Sequence, residues 1–221
     1  TAIFKKGVKW NPANYRPVSL TSQIVKIMER IIKDDMVNFL ESNNLIKNSQ
    51  HGFRNKKSCL TNLLVFMEKV AELLNSREPV DVIYLDFQKA FDKVPHKRLI
   101  VRLEEIGIKG KLLSWIEEWL NGRKQRVVIN GKASQWKEVD SGVPQGSILG
   151  PLLFIIFING IDDGIVNDIL KFADDTKIFG KVGTRNSVIK LRADLQILCN
   201  WSEKWQMKFN AEKCSHAYWS E

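Results

Sequence analysis

Asp86 and the pair Asp174-Asp175 are the residues least at ease with their surroundings. Asp86 follows Val82-Ile83-Tyr84-Leu85, a run that reads as a strand. Asp is depleted in strands, and a partly buried carboxylate costs free energy unless it is paired or bound to metal. Asp174-Asp175 lies between two short apolar segments, 169–173 and 176–179, that also read as strands. Carboxylates that close repel each other, and a divalent cation would relieve the repulsion. Each feature alone has an ordinary explanation, a turn for the pair and a solvated strand end for Asp86. Together, a carboxylate ending one strand and a pair in a neighbouring hairpin can converge on two hard cations, which prefer oxygen ligands. Two such ions about 3.5–4 Å apart activate a 3′-hydroxyl and stabilise a leaving pyrophosphate in an in-line displacement, with no catalytic His or Cys needed. Spacing alone does not make the strands neighbours.

The elements that must position these groups follow from periodicity. Thr21 or Ser22 caps a predicted helix reaching about Glu41, with Ile24, Ile27, Met28, Ile31 and Ile32 on one face. A polar, basic loop at 50–58 precedes a second helix, 60–75, whose apolar stripe is Leu63, Leu64, Met67, Val70, Ala71 and Leu74. A strand is expected at 80–87, then helices at 97–106 and 111–120 split around Gly107–Gly110. Segments 126–129 and 136–139 flank Asn130-Gly131, a strong hairpin signal. A Pro/Gly turn at 142–146 leads into a buried apolar helix, 152–158, and a long amphipathic helix spans 187–204. Helices mixed with a small antiparallel sheet make the class α+β.

The 221 residues are enough to bury a real core and resemble an ordinary globular composition, 44% hydrophobic and 27% charged. The net charge of +9 fits a polyanionic partner. Cys59, Cys199 and Cys214 are odd in number and widely spaced, which argues against a disulfide framework or zinc site and for a reducing compartment. The longest apolar run, 148–158, is too short to cross a bilayer and contains Gly150 and Pro151, and no secretory signal is visible. No membrane partner is expected. Residue 1 is Thr, so the sequence reads as an excerpt.

Three motifs in order give a sharper reading. Tyr84-Leu85-Asp86-Phe87-Gln88-Lys89-Ala90-Phe91-Asp92 resembles the first palm motif of reverse transcriptases. Ser141-Gly142-Val143-Pro144-Gln145-Gly146-Ser147-Ile148-Leu149-Gly150-Pro151 resembles their template-and-nucleotide loop, and Phe172-Ala173-Asp174-Asp175-Thr176 their metal-binding hairpin. With Asn14-Tyr15-Arg16-Pro17-Val18-Ser19-Leu20, Gln50-His51-Gly52-Phe53-Arg54 and Val94-Pro95-His96, the wording is that of LINE-type (non-LTR) retrotransposons of the jockey and chicken-repeat branch.

That resemblance implies a right-hand polymerase fold with fingers at 1–77, a palm with inserted fingers and helical elements at 78–214, and a divergent, truncated tail at 215–221, the thumb missing. It implies two Mg2+ ions, replaceable by Mn2+, held mainly by Asp86 and Asp174, with Asp175 assisting and the Phe87 carbonyl completing one shell. Phe91 falls at the steric gate that excludes a 2′-hydroxyl, and Gln145 and Gly146 at the nucleotide contact. Arg16, with Lys9 as its partner, matches the cations that hold the triphosphate, and Lys213 a lysine that protonates pyrophosphate. Arg54, Lys56 and Lys57 are expected along template phosphates. The implied activity is RNA-directed DNA polymerisation from dNTPs on an RNA template and DNA primer, in cytoplasm or nucleus. The alternative is a catalytically weak or dead remnant that binds nucleic acid. The Phe91 ring speaks against an RNA-directed RNA polymerase.

Overall fold

The β-branched run before Asp86 does form a strand, and it is central. A computed structural model describes residues 1–129 and 131–220, Ala13 through its backbone only. The order is β1 (Ala2–Phe4), β2 (Tyr15–Pro17), α1 (Gln23–Ser42), α2 (Cys59–Asn75), β3 (Val80–Leu85), α3 (Ala90–Lys93), α4 (His96–Glu105) and α5 (Gly110–Leu120). There follow β4 (Lys124–Gln125), β5 (Val128–Ile129), β6 (Lys132–Ala133), β7 (Lys137–Glu138), α6 (Gly150–Phe157), β8 (Asp168–Phe172), β9 (Asp175–Lys181), α7 (Arg185–Trp205) and β10 (Ser215–Trp219). Helices and antiparallel sheets are mixed, as the α+β reading expects. Among the described residues no helix is long and apolar enough to cross a membrane.

By its contacts the chain forms two units, Thr1–Leu45 with Phe91–Phe154, and Ile46–Ala90 with the segment from Ile155 onward. The second unit is built on an antiparallel sheet in the order β10-β3-β9-β8. Phe66 and Val70 of α2 pack with Val80, Val82, Leu170 and Phe179 of the sheet. The Phe66 and Phe179 rings meet edge to face, 5.0 Å between centroids. Ile178 alternates to the opposite face and is buried as well. α2 and α7 both open with capping boxes, Ser58 with Thr61 and Thr184 with Ser187.

The first unit holds β1 against β2, α1, and α4 beside α5. Its hairpin corrects the expected strand ends. Asn130 lies outside the described residues, but β5 pairs with β6, and β4 with β7 farther out. The returning arm therefore starts at Lys132 rather than at 136.

Two helix faces also differ from expectation. Ile24, Ile27, Met28 and Ile31 of α1 are exposed, while Glu29, Met36 and Leu40 are buried. On α2, Leu63, Leu64 and Met67 are exposed, while Asn62, Phe66 and Val70 are buried. In each case a buried polar side chain answers backbone groups of its own unit. Glu29 accepts from Ile148 N and Leu149 N, at 2.6 and 3.1 Å, and Asn62 donates to Lys171 O at 3.2 Å. Residues 215–219 form a further sheet strand, β10, paired with β3 from Ser215↔Tyr84 to Trp219↔Val80.

Candidate active site

In the second unit β3 and β9 run antiparallel with Leu85 opposite Thr176. One further step of that register sets Asp86 across from Asp175. The β8–β9 turn is tight: Phe172 pairs with Asp175, leaving Ala173 and Asp174 as its two central residues. Ala173 takes the left-handed φ of +56° that a tight hairpin demands and that costs a residue with a Cβ. Asp86 and Asp174 are half-buried and Asp175 is exposed.

Two of these carboxylates act on each other electrostatically. Partial desolvation of the Asp175 carboxyl, and then the negative charge of Asp86, raise its pKa above the ordinary value, against the pull of Lys213. The Lys213 ammonium donates to both oxygens of Asp86, at 3.1 and 3.0 Å. A chain reversal brings it there. Gln88 N donates to Lys208 O and Asn210 N to Asp86 O, so residues 208–210 run beside 86–88 before turning at Asn210 into β10. Because the flanking bonds belong to residues 86 and 88, the Phe87 carbonyl stays outside this pairing. The Phe87 ring is buried, stacked on Phe209 with centroids 4.7 Å apart.

This donor set fits a hard cation. Asp86 already satisfies a cation with both oxygens, and the pKa of Asp175 stays raised in spite of the pull of Lys213. Among the described residues no group of three or more His, Cys, Asp or Glu side chains is already gathered as a metal cage.

The other expected residues of this unit form a basic loop. Arg54 donates to Ile46 O and Lys47 O, and Lys57 to Asn48 O, so both fold back onto the 46–48 turn. Lys56 is exposed. The neighbouring His51 bonds Thr61 through its ring; burial, then the nearby cations Lys57, Arg54 and Lys177, lower its pKa.

Of the expected nucleotide-binding residues, Lys9, Arg16, Phe91, Gln145 and Gly146 belong to the first unit, and Lys213 to the second. Ser19 N donates to Gln145 O at 2.7 Å, and Gly146 approaches the same segment so closely that a Cβ would stand 2.5 Å from Ser19 O. Gly146 also has φ +112°, a conformation open to glycine. Arg16 is exposed on β2, opposite Ile3. Lys9 is exposed on a loop tied to β2 by the Tyr15 hydroxyl, which donates to Lys9 O. Phe91 is half-buried and stacks on Phe154 at 4.5 Å. Its carbonyl accepts from Val143 N, Gly142 lies so near Asp92 that a Cβ would meet that backbone at 2.7 Å, and the His96 ring bonds Gly142 O. Thus α3 supports the Gly142–Gly146 loop from one side and the Val18–Ser19 segment from another.

Glu29, which anchors the start of α6 after this loop, was missed in the sequence. Its position inside an amphipathic helix gives no sign that its carboxylate faces backbone amides. Gln50 was visible as part of a motif but without a role.

A family model described as reverse transcriptase (RNA-dependent DNA polymerase) matches residues 3–221. The chain belongs to the reverse transcriptase family. It is 31% identical over 213 residues to the RNA-directed DNA polymerase from mobile element jockey of Drosophila funebris, covering 92% of this chain and 23% of that protein. A probable RNA-directed DNA polymerase from transposon X-element of Drosophila melanogaster is 27% identical, with 93% of this chain and 23% of that protein covered. The chain therefore spans about a quarter of the length of these relatives. Among solved structures, apo telomerase from Candida tropicalis truncated of its C-terminal domain aligns with a TM-score of 0.64 over 87% of this chain and 40% of that one, at 15% identity. That likeness establishes a shared reverse transcriptase fold of mixed helix and sheet.

Proposed function

We propose that this chain is the catalytic core of an RNA-directed DNA polymerase that extends a DNA primer along an RNA template using deoxynucleoside triphosphates. The observation that carries this reading is the placement of Asp86 across from Asp175 at the ends of β3 and β9, with a cation on Asp86, in a chain of the reverse transcriptase family.

Asp86, Asp174 and Asp175, with the Phe87 carbonyl, would hold two divalent ions, Mg2+ by preference, Mn2+ as a substitute. When bound, such ions lower the pKa of a primer 3′-hydroxyl and neutralise the leaving pyrophosphate. Arg16 grips triphosphate oxygens with its planar fork, and Lys9 adds a point charge. Gln145 and Gly146 meet the nucleotide where bare backbone permits close approach. Phe91 lies under the sugar and excludes a 2′-hydroxyl, its ring held by the stack on Phe154. Lys213, released from Asp86, delivers a proton to pyrophosphate. Lys56, Arg54 and Lys57 follow template phosphates. In this reading residues 1–77 supply fingers and residues 78–214 the palm with its inserted elements.

Primer extension on an RNA template with Mg2+ tests it, comparing the chain with an Asp174→Asn, Asp175→Asn variant. Extension that vanishes in the variant supports the reading, and equal extension by both overturns it.

A further inference from the structure

The loop behind the carboxylate hairpin is built more tightly than a connection between helices requires. Gln50 is only 1% exposed. Its Oε1 accepts from Ala173 N at 3.0 Å and from Gly52 N at 2.8 Å, while its Nε2 reaches Ala173 O at 3.4 Å. One side-chain amide thus answers both backbone polar groups of the residue preceding Asp174, much as a neighbouring strand would. The backbone on either side reinforces it: His51 N donates to Lys171 O and Lys171 N to Ser49 O, each at 2.8 Å. Gly52 lies so close behind the turn that a Cβ would stand 2.4 Å from Ala173 N.

Ala173 explains why such a grip is needed. A residue with a Cβ held at φ +56° persists only where its surroundings over-determine it. Asp174 leaves the chain one peptide further on, so any relaxation of Ala173 swings that carboxylate. Carboxylate ligands depend in general on outer hydrogen bonds that fix their direction, and losing one typically weakens metal binding about 10–100-fold.

We propose that Gln50 is a positioning residue for the metal-binding hairpin: its buried amide clamps Ala173 and so aims the Asp174 carboxylate at the metal position. The inference rests on the reading of Asp86, Asp174 and Asp175 as metal ligands. It gives the Gln50-His51-Gly52 segment a role separate from template contact. Gln is required because Ala173 offers both a donor and an acceptor. Glu keeps the acceptor and loses the donor, and Leu loses both.

The test is Mn2+ binding by the full chain, followed from the electron paramagnetic resonance signal of free Mn2+, alongside thermal unfolding in chelator. Gln50→Glu and Gln50→Leu should weaken Mn2+ binding about 10–100-fold. Asn62→Leu is the control, because it removes a buried hydrogen bond to Lys171 O without touching Ala173. It should lower the unfolding midpoint and leave Mn2+ affinity unchanged. Folded Gln50 variants that bind Mn2+ like the parent overturn the proposal. So does an Asn62→Leu variant that loses as much affinity as they do, which would make the effect one of general stability. Loss of folding in both Gln50 variants also overturns it, since a residue that only aims a turn is dispensable to the rest of the unit. If the Asp174→Asn, Asp175→Asn variant binds as tightly as the parent, the carboxylate reading falls, and this inference with it.

Discussion

At the scale of single residues, the site is governed by an imbalance of charge that Lys213 offsets. Its ammonium bonds both oxygens of Asp86 and lowers the Asp175 pKa against the larger effects of desolvation and of Asp86. Because the folded chain holds Asp175 above its ordinary value, ionising it costs stability. That stability is fully present below the unfolded pKa and is lost as pH rises through the raised folded one. Asp175→Asn should therefore raise the unfolding midpoint in chelator at neutral pH and flatten its dependence on pH through the acidic range, as read by thermal melts. Lys213→Met should push Asp175 higher still, so the onset of Mn2+ binding moves to higher pH. An unmoved onset would mean that Lys213 does not govern the site. Phe91 makes the other prediction at this scale. Phe91→Ala should relax discrimination against ribonucleotides by roughly ten- to a hundredfold, since excluding one small group from a pocket is worth about 1–3 kcal/mol. Competitive incorporation of matched ribo- and deoxynucleotides measures it, and unchanged selectivity would reassign the ring to packing on Phe154.

At the scale of elements, β8 is pinned to the segment after α6 by an ion pair with almost no access to water. Lys171 is 0% exposed and bonds Asp162 at 2.9 Å. Burial would raise the Asp162 carboxyl, but Lys171, the Ser49 hydroxyl and Lys47 outweigh it and hold the pKa low. For Lys171 burial wins and lowers the pKa in spite of Asp162. Burial and pairing therefore pull the two partners in different ways, and Asp162, with three donors around it, is the charged anchor of the pair. A depressed carboxyl stabilises the fold above its unfolded pKa, and that contribution disappears as pH falls through the folded one. Asp162→Leu, which strands a buried ammonium, should cost about 3–5 kcal/mol, whereas Asp162→Leu with Lys171→Met should be near neutral. Chemical denaturation of the three proteins decides it. An Asp162→Leu variant as stable as the parent would show that the ion pair does not pin β8. This pair was invisible in the sequence, where Lys171 is the polar member of an alternating strand. The same blindness explains α1 and α2. Their 3.6-residue periodicity marked both helices within a residue or two, yet much of each apolar stripe is exposed, while Glu29 and Asn62 are buried and bond backbone groups distant in sequence. Asp86 and Asp175, by contrast, were legible in the sequence, because a carboxylate ending one apolar strand and a carboxylate pair between two others ask for a common explanation. The register that places them opposite each other is a tertiary fact, and so is the pairing of β10 with β3.

For the molecule as a whole, the question is whether nucleic-acid binding and catalysis depend on the same charges. A net charge of +9 draws any polyanion, whereas the carboxylates repel one unless cations intervene. The polymerase and the binding-module readings diverge on this point. Both predict that affinity for an RNA–DNA hybrid falls linearly on a log–log plot against salt, with a slope of about −0.9 per phosphate neutralised on B-form DNA as a guide. They differ in what the Asp174→Asn, Asp175→Asn variant does. In a polymerase it should bind the hybrid at least as tightly in chelator, because two negative charges have gone, and it should lose the increment of affinity that Mg2+ and a matched deoxynucleotide add to the parent. In a pure binding module there is no such increment to lose, and parent and variant respond alike. Fluorescence anisotropy of a labelled hybrid, titrated with and without Mg2+ and nucleotide at two salt concentrations, separates them. If the variant instead loses hybrid binding in chelator as well, the turn at Ala173-Asp174 is supporting the fold of its unit rather than a metal, and the Gln50 clamp behind it would be a structural brace.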